Sequence, residues 1–148
     1  MNIFNELISN RVLICALLGW LTAQVLKVPV CLITEKRLNF MMLISSGGMP
    51  SSHSATVCAL ATACALTEGF SSTIFAVAAI FAFIVMYDAA GVRRAVGQQA
   101  KILNKIMDDI FSGHKEDINA RLKELIGHTK LEVLAGALLG IIIGVIFA

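Results

Sequence analysis

The stretch from Val12 to Ile33, VLICALLGWLTAQVLKVPVCLI, decides what kind of molecule this is. Only Gln24, Lys27 and Pro29 interrupt its apolar run. A helix needs about 20 such residues, at about 1.5 Å each, to cross a bilayer. The stretch is therefore a membrane span candidate. Three further apolar runs lie at 54–67, 70–87 and 131–148. Over all 148 residues the chain is 57% hydrophobic and 15% charged, with mean hydropathy +0.82. Soluble domains carry more charge than this. The expectation is an all-α protein, a small integral membrane helical bundle. It would have about four membrane helices plus interfacial or amphipathic helices, forming one membrane domain over 1–148. The run 54–67 is short for a full crossing, so its ends need protein neighbours.

The segments between the spans read as follows. Residues 1–10 are a short lead-in without a basic n-region or cleavage site, so no removable signal peptide is expected. Residues 34–46 hold Glu35, Lys36 and Arg37, then Phe40 to Ile44, and read as a short interfacial helix. Glu68-Gly69 is a tight turn. The polar segment 88–127 begins as an amphipathic helix, with Val92, Val96, Ala100, Leu103, Ile106 or Met107, and Ile110 at helical spacing. Basic residues on its other face suit anionic lipid. Ser112-Gly113-His114 breaks that helix, and a shorter one covers 117–126, with Gly127 as its stop. His114 is assigned no role. Cys15, Cys31, Cys58 and Cys64 lie in or beside apolar spans without metal-site spacing, so they read as small buried hydrophobes. Gly136, Gly140 and Gly144, four apart in the last span, form a small-residue packing face that also permits a homodimer.

Chemistry concentrates in residues 47–56, GGMPSSHSAT. Gly47 and Gly48 widen the backbone choices, and Pro50 fixes one φ. Ser51, Ser52 and Ser54 bring hydroxyls, and His53 brings an imidazole. The loop runs into a helix N-terminus, where free N–H groups and the helix dipole favour a phosphate. Ser51 or Ser52 also serves as a helix cap.

Following the spans back and forth brings the polar groups to one side. If a helix starts at His53 and the next returns, His53 and Asp88 share a rim. The last span begins near His128 and the first ends near Lys27, so both join them. Lys27, His53, Asp88, Arg93, Arg94, His128 and Glu132 therefore gather on one side of the bilayer. Ionisable groups at membrane depth are costly unless paired or used. Lys27 either reaches out to the headgroups or points inward toward the loop. Two histidines with cations and carboxylates suit phosphoryl transfer. Cations neutralise the phosphate oxygens, one imidazole attacks phosphorus, and the other protonates the leaving oxygen. A carboxylate one helical turn away can orient the attacking ring.

Pro50-Ser51-Ser52-His53 resembles the Pro-Ser-Gly-His motif of the type-2 phosphatidic acid phosphatase and vanadium haloperoxidase superfamily. His128-xxx-Glu132 resembles its His-xxx-Asp. The chain looks like the small divergent branch of that superfamily. The residues carrying this likeness are 47–55, 88–94, 97–100, Asn104 and 127–133. The resemblance implies that His128 is a nucleophile forming a phosphohistidine, that Glu132 orients it, and that His53 is the general acid. It implies that Ser51, Ser52 and backbone N–H groups hold the phosphate, with no metal and no cofactor. Two superfamily motifs have no counterpart: the residue seven after Lys27 is Thr34, and the residue six before His128 is Leu122. Arg93 and Arg94 are substitutes by position.

Alternatives stand beside these assignments. Thr129 to Glu132 also reads as a capping box. Asp88 can cap a helix starting near Gly91, pair with an arginine, or bind a divalent ion with Glu132. The expected partners are a lipid phosphate and the membrane, with no nucleic acid. A non-catalytic headgroup-binding protein and a small transporter subunit are the other readings. Of 12 Lys and Arg, all but Arg11 lie on the histidine side. Setting aside Lys27, Arg93 and Arg94 still leaves eight against one. The positive-inside rule then places that side in the cytoplasm of a bacterial-type membrane.

Overall fold

The computed structural model describes residues 2–36, 38–45, 47–110 and 128–148, with the backbone but not the side chains of 35, 92–94 and 108–110. The expected helix at 117–126, the break at Ser112 and the stop at Gly127 lie outside the described residues. Among the described residues the secondary structure is entirely helical. The elements are α1 (Ile3–Ser9), α2 (Arg11–Glu35), a 3₁₀ turn (Phe40–Leu43), α3 (Ser52–Glu68), α4 (Thr73–Ala90), α5 (Val92–Ile110) and α6 (Lys130–Phe147).

Short polar side chains start the long helices. Asn10 accepts from Leu13 N at 3.0 Å, Ser72 accepts from Phe75 N at 3.2 Å, and Thr129 caps α6. Each satisfies an N–H that the first helical turn leaves without a partner. α2 passes through Pro29 without ending. It stops where Lys36 turns into the left-handed region at φ 54°. The apolar run 40–44 therefore forms a single 3₁₀ turn rather than the interfacial helix expected there. Its N-terminus is set by Asn39, whose side chain accepts from Met41 N at 3.0 Å.

Three helices are long and apolar enough to cross a membrane: α2, α4 with its continuation, and α6. The protein is an integral membrane protein of helical type. Large apolar side chains such as Leu21, Val77, Phe83, Leu138 and Val145 face outward uncovered, an arrangement that only lipid stabilises. α3 is different. It is 17 residues long and packs against α2, α4 and α6. This fourth helix is the centre of the bundle, so its ends meet protein before they meet lipid.

Small residues make that packing possible. Gly136, Gly140 and Gly144 of α6 and Gly19 of α2 lie against the backbone of α3. A methyl group on Gly140 would sit 2.9 Å from Ala59 N and closer still to the Ala55 carbonyl. The glycine face expected to permit a homodimer is therefore occupied by the chain's own α3. Backbones this close gain dispersion contact without side chains between them. All four cysteines are buried in this packing.

α4 runs three residues past the expected end at Tyr87, through Asp88, and stops at Gly91. α5 then leaves the bundle, packing among the described helices on α4 alone. Gly97 and Ala100 are buried, while Val96, Leu103 and Ile106 stay uncovered. An amphipathic helix with such an uncovered apolar face is suited to a membrane surface.

Candidate functional site

The close approach of α6 to α3 sets the two helix N-termini side by side. Ser51 N–H donates to the Glu132 carbonyl at 3.0 Å, which ties the loop before α3 to the first turn of α6. His53 is the second residue of α3, and His128 lies two residues before α6. Their ring centroids are 5.9 Å apart with an interplanar angle of 65°. Imidazoles far apart in sequence thus meet edge to face at one end of the bundle.

His128 is 3% exposed. Its Nδ1 lies 3.1 Å from Glu132 Oε2, one helical turn on. The same oxygen accepts Thr129 N–H at 2.9 Å, while Thr129 Oγ1 accepts Glu132 N–H at 3.3 Å. The capping box and the carboxylate contact with His128 therefore use the same Glu132 oxygen. A carboxylate accepting at Nδ1 holds the proton there, which leaves the lone pair of a neutral imidazole on Nε2. His128 Nε2 is buried and makes no hydrogen bond. A buried ring nitrogen without a partner is uncommon. Beside a second imidazole, it is where an incoming group would bind.

Lys27 turns inward. It is 0% exposed, and its Nζ donates to the Ser45 carbonyl at 2.7 Å. A lysine reaching out to the headgroups would be exposed, so that alternative is excluded. Lys27 and Glu132 share a cavity of about 250 Å³ with Cys31, Met42, Gly48 and Thr129. Gly48 has φ +89°, a conformation that favours glycine. A methyl group there would lie 3.1 Å from Met42 Cε and 3.9 Å from Lys27 Cδ, so the glycine lets the loop pass beside the lysine stem. Gly47 N–H is held by Ser45 Oγ at 3.2 Å.

Ser51 and Ser52 are buried. The Ser51 hydroxyl accepts from Ser54 N at 3.4 Å and from Ser54 Oγ at 3.2 Å, capping α3. Ser51→Ala is therefore expected to cost about 1 kcal/mol, the usual worth of such a cap. Thermal unfolding in detergent should show the loss. An unchanged midpoint would mean that the cap is not formed. Asp88 is half-buried within the last turn of α4, three residues before Gly91. Arg93 and Arg94 are in the first turn of α5, immediately after α4, and their side chains lie outside the described residues.

The sequence reading did not single out Ser45 or Gly19. A backbone carbonyl accepting from a lysine leaves no mark in the sequence. Gly19 did carry a signal, a small residue in the middle of a span.

The chain matches the family model described as "Divergent PAP2 family" over residues 8–143. It is 44% identical over 153 residues to the "Uncharacterized membrane protein YuiD" of Bacillus subtilis (strain 168), an alignment covering 97% of each chain. No solved structure matches.

Proposed function

The chain belongs to the divergent PAP2 family, and from that premise we propose that it is a phosphatase or phosphotransferase for lipid phosphates or diphosphates. The observation that carries this reading is the contact set of His128: Nδ1 on Glu132, Nε2 buried without a partner, and His53 beside the ring. The Nε2 lone pair attacks phosphorus, forming a P–N bond as the bond from phosphorus to the lipid oxygen breaks. The departing oxygen takes a proton from His53. Water, or another acceptor hydroxyl, then attacks the phosphohistidine and gives its proton to His53. The P–N bond breaks with its electrons returning to Nε2.

Charge on the transferring phosphoryl group is met by cations and fixed N–H donors. Lys27, Arg93 and Arg94 are the proposed cations. At the start of α3 the first-turn N–H groups of Ser52 and His53 direct the helix dipole outward. Gly47 and Gly48 shape the loop, and Asp88 supports the rim. Excess positive charge on this side supports a site at the cytoplasmic face. No metal or cofactor enters this scheme.

A covalent intermediate is the direct test. Purified protein is incubated with a lipid phosphate carrying radiolabelled phosphorus and quenched in base. It should retain an acid-labile, base-stable label on His128. Label on another residue, or substrate turnover with no trapped label under single-turnover conditions, would sink the phosphohistidine route.

One observation favours a second reading, a protein that binds anionic headgroups without turnover. The positions that would complete the superfamily's two other motifs hold Thr34 and Leu122, neither of which carries a cation to stabilise a transferring phosphoryl group. Headgroup binding that persists in a His53→Ala/His128→Ala protein, with no phosphate release by wild type, would favour this reading.

A further inference from the structure

α4 and α6 both pack on α3 but meet each other only lightly. Between them runs a groove of about 460 Å³ lined by Phe83, Met86 and Tyr87 of α4 and by Lys130, Val133 and Ala137 of α6. Its size is within the roughly 300–1,000 Å³ of small-molecule sites. From Phe83 to Ala90, and from Ala137 to Lys130, each wall covers eight residues, seven steps along its helix. The groove therefore reaches roughly 10 Å below the rim at 1.5 Å per residue.

Three features give the groove a direction. Its lining is apolar except for the Tyr87 hydroxyl and for Lys130 at the rim end. Lys130 is exposed and lies two residues after His128. Met86 reaches α3, with its Sδ 3.7 Å from Cys58 Sγ, so α3 forms the floor. His53 is five residues nearer the rim on that same floor helix, roughly 7–8 Å along its axis.

Two other cavities lined by described residues differ. The one lined by Val12, Cys64, Thr73 and Phe81 lies at the opposite end of the bundle and has no charged side chain. The one holding Lys27 and Glu132 places two ionisable groups in about 250 Å³, which suits a headgroup and not a hydrocarbon chain. Of these three cavities lined by described residues, the groove between α4 and α6 combines an apolar length with a cation at the end where the imidazoles lie.

We propose that this groove seats one hydrocarbon chain of a phosphate-bearing lipid drawn from the leaflet at that rim, with its phosphate near Lys130 and the two imidazoles. Placing the phosphate rests on the proposed roles of His53 and His128. Placing the chain does not. The apolar walls match the chain, and Lys130 complements the anionic head. The lipid would enter sideways from the bilayer without leaving it.

The test is photocrosslinking of the full-length protein in phospholipid nanodiscs. The probe is a phosphatidic acid analogue with a diazirine midway along one chain, and labelled residues are read by mass spectrometry. A diacylglycerol carrying the same diazirine sets the background from bulk lipid. Labels are expected on the facing residues of α4 and α6, several-fold above background. Ala137→Trp fills the groove, and displacing even two methylenes should weaken labelling by about tenfold. Lys130→Glu, a change at an exposed position, should reduce labelling by the phosphate probe but not by the diacylglycerol.

Labels on residues lining the other two cavities would overturn the inference. So would labels spread evenly over the lipid-facing surface, or labels unchanged by both substitutions. The experiment is repeated on His128→Ala protein. Groove labelling with no phosphate release by wild type would remove the phosphatase reading and leave the lipid groove standing.

Discussion

Replacing His128 by alanine is expected to reduce phosphate release from a lipid phosphate by about a thousandfold or more, the scale seen when a covalent nucleophile is lost. The expectation follows from the free Nε2, because no other described group has its combination of burial, orientation by a carboxylate and an adjacent imidazole. His53→Ala should behave differently. A general acid contributes about 10²- to 10⁴-fold, and its loss falls hardest on esters with poor leaving groups. Aryl phosphates, whose leaving groups need little protonation, should be hydrolysed by His53→Ala far better than alkyl lipid phosphates are. Glu132→Gln keeps an oxygen that can still accept Thr129 N–H, so the helix cap survives while the charge opposite Nδ1 is lost. Its thermal midpoint should remain near wild type while turnover falls. The double variant His53→Ala/His128→Ala should be no slower than His128→Ala alone, since residues acting as one unit are not additive. Equal phosphate release by wild type and folded His128→Ala protein would end the mechanism.

The spans were legible in the sequence because lipid imposes a plain demand, about 20 apolar residues in a row. The starts of α2 and α6 lie within one residue of the change in hydropathy, whereas α4 starts at Thr73, three residues into the apolar run from Phe70, where Ser72 caps it. The central place of α3 was less visible, because hydropathy reports burial in something apolar and does not distinguish lipid from protein. Its shortness and its run of Ala, Ser, Thr and Cys carried that information. The segment 34–46 was misread for a related reason. Phe40 to Ile44 is apolar enough for an α-helix, but the backbone there forms the 3₁₀ turn Phe40–Leu43. The direction of Lys27 depended on the Ser45 carbonyl, a tertiary partner with no sequence signature. Glu132 was legible in two ways at once because a capping box and a histidine–carboxylate pair use the same four-residue spacing. The meeting of His53 and His128 followed from counting crossings, since alternating helices return polar ends to a common rim.

Enlarging the glycine face of α6 should damage the fold and the site together. A methyl group on Gly136 would lie 3.0 Å from Ser54 Cβ and closer still to the Ser51 carbonyl, and one on Gly144 would lie 2.6 Å from Thr62 Cβ. Most of these neighbours are backbone or short side chains fixed within α3, so they have no rotamer to yield. Gly136→Ala and Gly140→Ala are each expected to cost about 1–3 kcal/mol, the usual penalty of overpacking a filled interior, and Gly140→Leu more. By contrast Leu138→Ala, on the lipid-facing side of the same helix, should change stability by no more than about 0.5 kcal/mol. Because Gly136 sits against Ser51, whose N–H binds Glu132, pushing α6 away there also loosens the tie that holds His128 beside His53. Gly136→Ala should therefore lose turnover beyond what its stability loss explains, and Gly144→Ala, at the far end of the helix, should lose less. Thermal unfolding in detergent with parallel phosphate-release assays measures both quantities. If these glycines instead served a contact between two copies, the substitutions would shift the oligomer distribution and leave the monomer's unfolding midpoint unchanged.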